Sequence, residues 1–164
     1  MMNDAELERW FETHATALVL YARQWLDRSG AEDAVQEAFV RLLLQPTPPR
    51  QVKAWLYRAV RNEAITQWRS SRSRERRERQ AALPETLFEY DATTGGDVEA
   101  LTTAIAKLPP AQREILVLRV WGELTLAEVS ELIEMPVSTV FQNYRTAIGT
   151  MRKRMEEPCQ KKTH

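Results

Sequence analysis

Apolar residues recur at helical spacing from the start of the chain. Leu7, Trp10, Phe11, Leu18, Tyr21, Ala22 and Trp25 fall on one stripe and predict an amphipathic first helix. The run "RSG" stops it, and Ser29 followed three residues on by Glu32 has the form of a capping box for the next helix. That helix, "AEDAVQEAFVRLLL", places Val35, Ala38, Phe39 and Leu42 on one face. The stretch "QPTPP" ends it, since each proline lacks a donor and fixes its own backbone. A third helix follows from near Val52 as "VKAWLYRAVRNEAITQWRSSRSRERR", with Val52, Trp55, Leu56, Ala59, Val60 and Trp68 as its core stripe.

The pattern fails over residues 80–98. "QAALPETLFEYDATTGGD" has a proline, a Gly-Gly pair and no sustained period, so it is expected to be a linker, with Leu87, Phe88 and Tyr90 docked on some surface. Four short helices are predicted beyond it. "VEALTTAIAKL" ends at Pro109-Pro110, "PAQREILVLRVW" ends near Gly122, and "TLAEVSELIEM" opens on a capping box of Thr125 and Glu128. After a break at Pro136 comes "STVFQNYRTAIGTMRKRM", and the last two helices have helix-turn-helix proportions. No strand is needed. The expected fold is all-α, with a domain over residues 5–79, the linker at 80–98, a second domain over 99–156 and a tail at 157–164.

Charge changes this picture more than composition does. The net charge of the 164 residues is zero, but it is unevenly spread. Residues 1–49 carry −4, residues 50–79 carry +7, residues 80–98 carry −4 and residues 99–164 carry +1. A basic block bracketed by acidic ones points to a local polyanion contact, without a general attraction of the whole molecule to nucleic acid. No apolar run reaches the length of a membrane span, and "MMNDAELERWF" is acidic, unlike a signal peptide. A single cysteine, Cys159, excludes an intrachain disulfide and fits a reducing cytoplasm. Histidines 14 and 164 offer no metal or triad spacing, so neither a metal, a cofactor nor a catalytic residue is expected.

Three surfaces remain as candidates. On the third helix Arg58, Arg61, Arg69, Arg72 and Arg76 share a stripe expected to lie opposite the tryptophans, with Asn62 beside it. Such a stripe can follow a phosphate backbone, and Tyr57 and Trp68 are placed to stack on unpaired bases; the competing reading is a solvated basic helix. On the second helix Asp33, Gln36, Glu37 and Val40 face away from the core, which taken alone means only solvent. In the final helix Thr139, Gln142, Asn143 and Arg145 suit base edges or phosphates, with Arg113 and Arg119 steadying the docking on phosphates. The competing reading there is a plain helical bundle.

The segments "AEDAVQEAFVRLLL", "VKAWLYRAVRNEAITQWR" and "LPPAQREILVLRVWGELTLAEVSELIEMPVSTV", in this order, resemble an extracytoplasmic-function (ECF) sigma factor of the sigma-70 family, over roughly residues 9–155. The resemblance implies a bacterial initiation factor, not an enzyme, that binds core RNA polymerase and promoter DNA. Asp33, Gln36 and Glu37 would dock on the clamp helices of the largest subunit. Arg58, Arg61, Asn62, Arg69 and Arg72 would hold the melted −10 element, and the "QPTPPRQ" loop lies where the family captures a flipped base. The C-terminal unit would read the −35 element through Ser138, Thr139, Gln142, Asn143, Arg145 and Arg113, and would contact the flap of the second-largest subunit. The linker would run near the RNA path. An anti-sigma factor is the implied regulator, so the free protein would be a monomer or a heterodimer with it. The acidic linker is also a candidate to fold over the arginine stripe.

The chain departs from its family's pattern in the last two helices. Glu134 stands where a turn glycine is usual, and would be strained if its φ is positive. Pro136 replaces a capping serine, so the last helix is expected either to begin with Pro136 as its first residue or to use Ser138 as its cap. Where relatives commonly read "GTVKSRLHRA" this chain reads "STVFQNYRTA", which removes two cations from the reading helix and shifts the expectation towards Gln142 and Asn143 hydrogen bonds and packing of Phe141 against a thymine methyl. Two other function classes compete: an independent helix-turn-helix regulator that never meets polymerase, and an enzyme, for which no catalytic constellation is present.

Overall fold

The computed structural model describes residues 1–75 and 95–161, the side chains of 72–75, 95–99 and 157–161 excepted. Among these residues all regular structure is helical: α1 (Asp4–Ala22), α2 (Arg28–Leu43), α3 (Val52–Glu75), α4 (Gly95–Ala106), α5 (Pro110–Val120), α6 (Leu126–Ile133) and α7 (Val137–Lys161). The chain divides into two compact units, Met1–Glu85 and Thr86–His164. Most of the expected linker lies outside the described residues, and with it Leu87, Phe88, Tyr90 and any contact of theirs with the arginine stripe. Its last part, from Gly95, is already helical as the start of α4.

In the first unit α1 begins with a full capping box: the Glu6 amide donates to Asn3 Oδ1 at 2.8 Å, and Asn3 N donates back to Glu6 Oε2 at 3.3 Å. The expected Ser29–Glu32 box does not form. Asp27 is the N-cap of α2 instead, accepting from the Gly30 amide at 2.8 Å, and Ser29 lies inside the helix. A carboxylate two residues nearer the chain start takes the place of the serine, and a Cβ on residue 30 would crowd it at 3.0 Å from Asp27 Oδ1. Glu32 pairs with Arg28 at 3.1 Å.

The three helices bury Leu18 and Tyr21 from α1, Val35, Ala38, Phe39 and Leu42 from α2, and Leu56, Tyr57, Val60 and Ala64 from α3. Tyr57 is the correction here. It is 1% exposed and meets Tyr21 edge-on at 5.4 Å, so it is core and has no face to offer a base. Burying such a ring removes well over a hundred square ångströms of mostly apolar surface from water, and that stabilisation fixes its place in the bundle. The tryptophans of α3 are only half-buried and do not form the core stripe. Arg41 ties α2 to α3, bonding Glu37 Oε1 at 2.9 Å and Glu63 Oε2 at 3.1 Å.

In the second unit Ala104, Ile105, Leu108, Leu116, Ala147 and Met151 form a core around which α4 and α5 pack on α7. Pro110 occupies the first turn of α5, where its missing donor costs nothing. The Thr125–Glu128 capping box forms as expected, with bonds of 3.1 and 2.8 Å. Helix α6 ends on Glu134 in the left-handed region, φ 55° and ψ 49°. Glu123, before α6, shares that geometry at φ 52°. Neither expectation for Pro136 holds. Helix α7 starts at Val137, and the Pro136 carbonyl accepts from Val140 N at 3.0 Å, which puts the proline at the N-cap position.

Candidate nucleic-acid interface

On α2 the side chains of Asp33, Gln36, Glu37 and Val40 are all exposed and recur every three to four residues, so they form one strip. Glu37 is not isolated on it, because Arg41 holds its carboxylate. The strip is also less polar than the sequence implied. It continues into Leu43 and Leu44, the latter 73% exposed. The signal was present in "RLLLQ": three consecutive leucines cannot all face one core, and Leu42 takes the buried position.

On α3, Arg58, Asn62 and Arg69 are exposed and lie within about 40° of one another at about 100° per residue. Arg61 is half-buried at the edge of the same face. Arg72 lies on the helix, but its side chain is outside the described ones, and Arg76 is outside the described residues altogether. Trp68, half-buried, borders the stripe beside Arg61 rather than lying opposite it. Glu63 lies about 140° around the helix from Arg58, where it is held by Arg41 and by Gln67 Nε2, the latter at 2.9 Å.

The helix-turn-helix pair is α6 and α7. Its turn is locked: Ser130 Oγ donates to the Met135 carbonyl, and Met135 N donates to Ser130 O at 3.1 Å. Ser138, Thr139, Gln142 and Arg145 are exposed on α7. Asn143 is not presented in the same way. It is half-buried, and its Nδ2 donates to the Thr139 carbonyl at 2.9 Å and lies 3.8 Å from Met135 Sδ. Its amide is engaged with its own helix and turn.

Arg113 and Arg119 are corrected more sharply. Arg113 is 4% exposed, and its Nη2 donates to the carbonyls of Ala106 at 2.7 Å and Leu108 at 3.0 Å, closing the end of α4. Burial lowers its pKa from the ordinary arginine value. Arg119 bonds the Leu124 carbonyl and lies 5.3 Å from the centroid of the Tyr144 ring. Arg113 is therefore engaged on carbonyls at the end of α4, and Arg119, half-buried, is turned towards the loop before α6. Among the described side chains of α7, the exposed cations are Arg145, Arg152 and Lys153.

Among the described residues no group of side chains is arranged to hold a metal ion, and no helix is long and apolar enough to cross a membrane. Comparison with known proteins gives the two units a common meaning. Residues 10–74 match the family described as Sigma-70 region 2, and residues 98–151 match Sigma-70, region 4. The chain is 28% identical to the ECF RNA polymerase sigma factor SigW of Bacillus subtilis, over 77% of this chain and 76% of that one. It is 27% identical to the RNA polymerase sigma-E factor of Streptomyces avermitilis, over 92% of this chain and 86% of the relative. Among solved structures, the fold is shared with the sigma factor RpoE bound to the anti-sigma factor NepR from Bartonella quintana, with a TM-score of 0.72 at 14% identity, covering 91% of this chain and 95% of that one. It is shared also with CnrH bound to the cytosolic domain of CnrY, with a TM-score of 0.58 at 19% identity, covering 94% and 90%. With region 2 on its first unit and region 4 on its second, in the order and spacing of its relatives, the chain belongs to the sigma-70 family, in the ECF group of RNA polymerase sigma factors.

Proposed function

We propose that this protein initiates transcription by docking on core RNA polymerase through the exposed strip of α2 and directing it to promoters with two separate DNA-contacting faces. The observation that carries the reading is the pair of family matches, each falling on one compact unit and in the order a promoter needs. Asp33, Gln36 and Glu37, with Val40 and the newly apparent Leu44, form the docking strip. Arg58, Arg61, Asn62 and Arg69, continued by Arg72, hold the non-template strand of the −10 element, with Trp68 bordering the track. Ser138, Thr139, Gln142 and Arg145 face the −35 major groove. Asn143 positions α7 against its turn, and Arg113 holds α4 against α5. The first domain is taken as 5–79, and the second begins with α4 at Gly95 rather than at residue 99.

The protein does no covalent chemistry in this scheme. Unstacking and flipping a base cost a few kcal/mol each, and this is offset by arginine contacts to the single strand and by the polymerase's own grip. Acting on polymerase places the protein in the cytoplasm. The solved RpoE that shares this fold was captured with the anti-sigma factor NepR, which supports the same control here, the free protein being a monomer or a heterodimer with its inhibitor.

Co-precipitation of the full chain with core polymerase, followed by run-off transcription on a promoter library, tests this. Association is expected for the native chain and loss of it for Asp33→Arg. A native chain that fails to bind core polymerase, yet still binds duplex DNA, would make it an independent helix-turn-helix regulator instead.

A further inference from the structure

Val137 and Phe141 are 47% and 46% exposed, one helical turn apart at the start of α7. The core on this helix is supplied by Val140, Ala147 and Met151, so neither residue is needed to hold the bundle together. At about 100° per residue they lie about 40° apart, and Arg145 and Arg152 fall within about 40° of Phe141 on the same exposed arc. Ser138 and Gln142 occupy the other side of that arc. Two half-exposed apolar side chains thus sit beside two guanidinium groups and two polar side chains, on the helix that ends a helix-turn-helix.

We infer that Val137 and Phe141 together form an apolar reader of pyrimidine 5-methyl groups, selecting thymines in the −35 duplex by methyl contact. The inference rests on α7 entering the major groove, as proposed above, and adds the chemistry of what it reads there. Three observations favour this occupant over another protein surface. The flanking Arg145 and Arg152 complement a phosphate backbone, whereas an apolar protein partner would leave both to be desolvated. Two isolated side chains make too small a patch for a protein interface, which needs several hundred square ångströms from each partner. Asn143 lies about 160° around the helix from Phe141 and is engaged with its own helix, so Gln142 is the amide left to the arc for reading adenine.

The spacing limits the geometry. Residues four apart rise by about 6 Å along a helix, and successive base pairs are about 3.4 Å apart. The two contacts therefore reach thymines no more than about two base steps apart. The only feature of thymine that distinguishes it from uracil in the major groove is this methyl.

The experiment uses holoenzyme assembled from the full chain and core polymerase. A duplex library randomised across the −35 region is selected for binding, and the winning duplex is remade with deoxyuridine at each thymine in turn. Loss of the methyl is expected to weaken binding about fourfold, the equivalent of one buried methyl, at one or two thymines within two base steps. Phe141→Ala should abolish the effect at one site and Val137→Ala at its neighbour. Gln142→Ala should weaken binding while leaving the methyl effect in place. Equal binding of thymine and uracil duplexes by the native holoenzyme overturns the inference, as does an undiminished methyl effect in both alanine variants. Holoenzyme that enriches no −35 sequence at all removes the proposed role of α7, and the methyl reader falls with it.

Discussion

Glu134 closes α6 with φ 55° and ψ 49°, a conformation in which the Cβ of any L-residue crowds its own backbone. That crowding costs about 1–2 kcal/mol. Its amide donates to Ser130 O, so the strain is imposed by the cap and by the turn that Ser130 locks. Glu134→Gly removes the Cβ and the strain, but it also loosens the unfolded chain, which returns about 0.4–1 kcal/mol. The net expectation is a gain of about 0.5–1 kcal/mol confined to the second unit. Native-state amide exchange on the full chain reads this directly, because it reports opening free energies segment by segment. Amides of Ile115 to Leu118 and of Val140 to Ala147, in the helices packed around the turn, should exchange about two- to fivefold more slowly. Those of Leu56, Val60 and Ala64 in the first unit should not change. Faster or unchanged exchange in α5 and α7 would refute the strain. So would a Glu134→Ala variant as protected as the glycine, since alanine keeps the Cβ and removes only the charge.

Arg113→Met strands the Ala106 and Leu108 carbonyls in a buried site and should destabilise the second unit by about 2–4 kcal/mol in urea unfolding. Under conditions where the fold survives, the salt dependence of promoter binding should be unaltered; a shallower slope would return the residue to the phosphates. Asn143→Ala should cost about 1 kcal/mol of stability while leaving the preferred −35 sequence unchanged in a selection experiment, whereas a changed preference would make Asn143 a reader. Arg58→Ala and Arg69→Ala should each reduce the slope of log affinity against log salt on −10 single strands by about 0.7, with no effect on stability; an unchanged slope would remove either arginine from the strand's path.

Local signals in the sequence were legible where nothing competed with them. Thr125 and Glu128 formed their box as read, while Ser29 lost its place to Asp27, whose carboxylate accepts from the Gly30 amide. The period of the apolar residues located the seven helices of the described residues, yet it could not decide which half of each stripe was core. Tyr57 went inside because Tyr21 met it from α1, and Trp68 stayed at the rim. Arginines misled most. Their number and spacing are visible in sequence, but whether a guanidinium meets a phosphate or a helix-end carbonyl is settled by tertiary geometry. Arg113, Arg119 and Arg154 all turned inward to the carbonyls of Leu108, Leu124 and Ala104.

That diversion of arginine shapes how the second unit would recognise DNA. With three guanidinium groups engaged on backbone carbonyls, Arg145, Arg152 and Lys153 are the cations exposed among the described side chains of α7. Three phosphate contacts would supply only a shallow salt dependence, with a slope of about −3. Such a helix gains little from nonspecific DNA, so its discrimination must come from short-range contacts that salt does not screen, which are hydrogen bonds from Ser138 and Gln142 and apolar contacts from Val137 and Phe141. The face of α3 that carries Arg58 and Arg69, with Arg61 at its edge, is suited to a strand whose sequence matters less than its charge. Affinity and selectivity would thus be divided between the two units, and only a partner that engages the α2 strip, as core polymerase is proposed to do, would bring both to bear on one promoter.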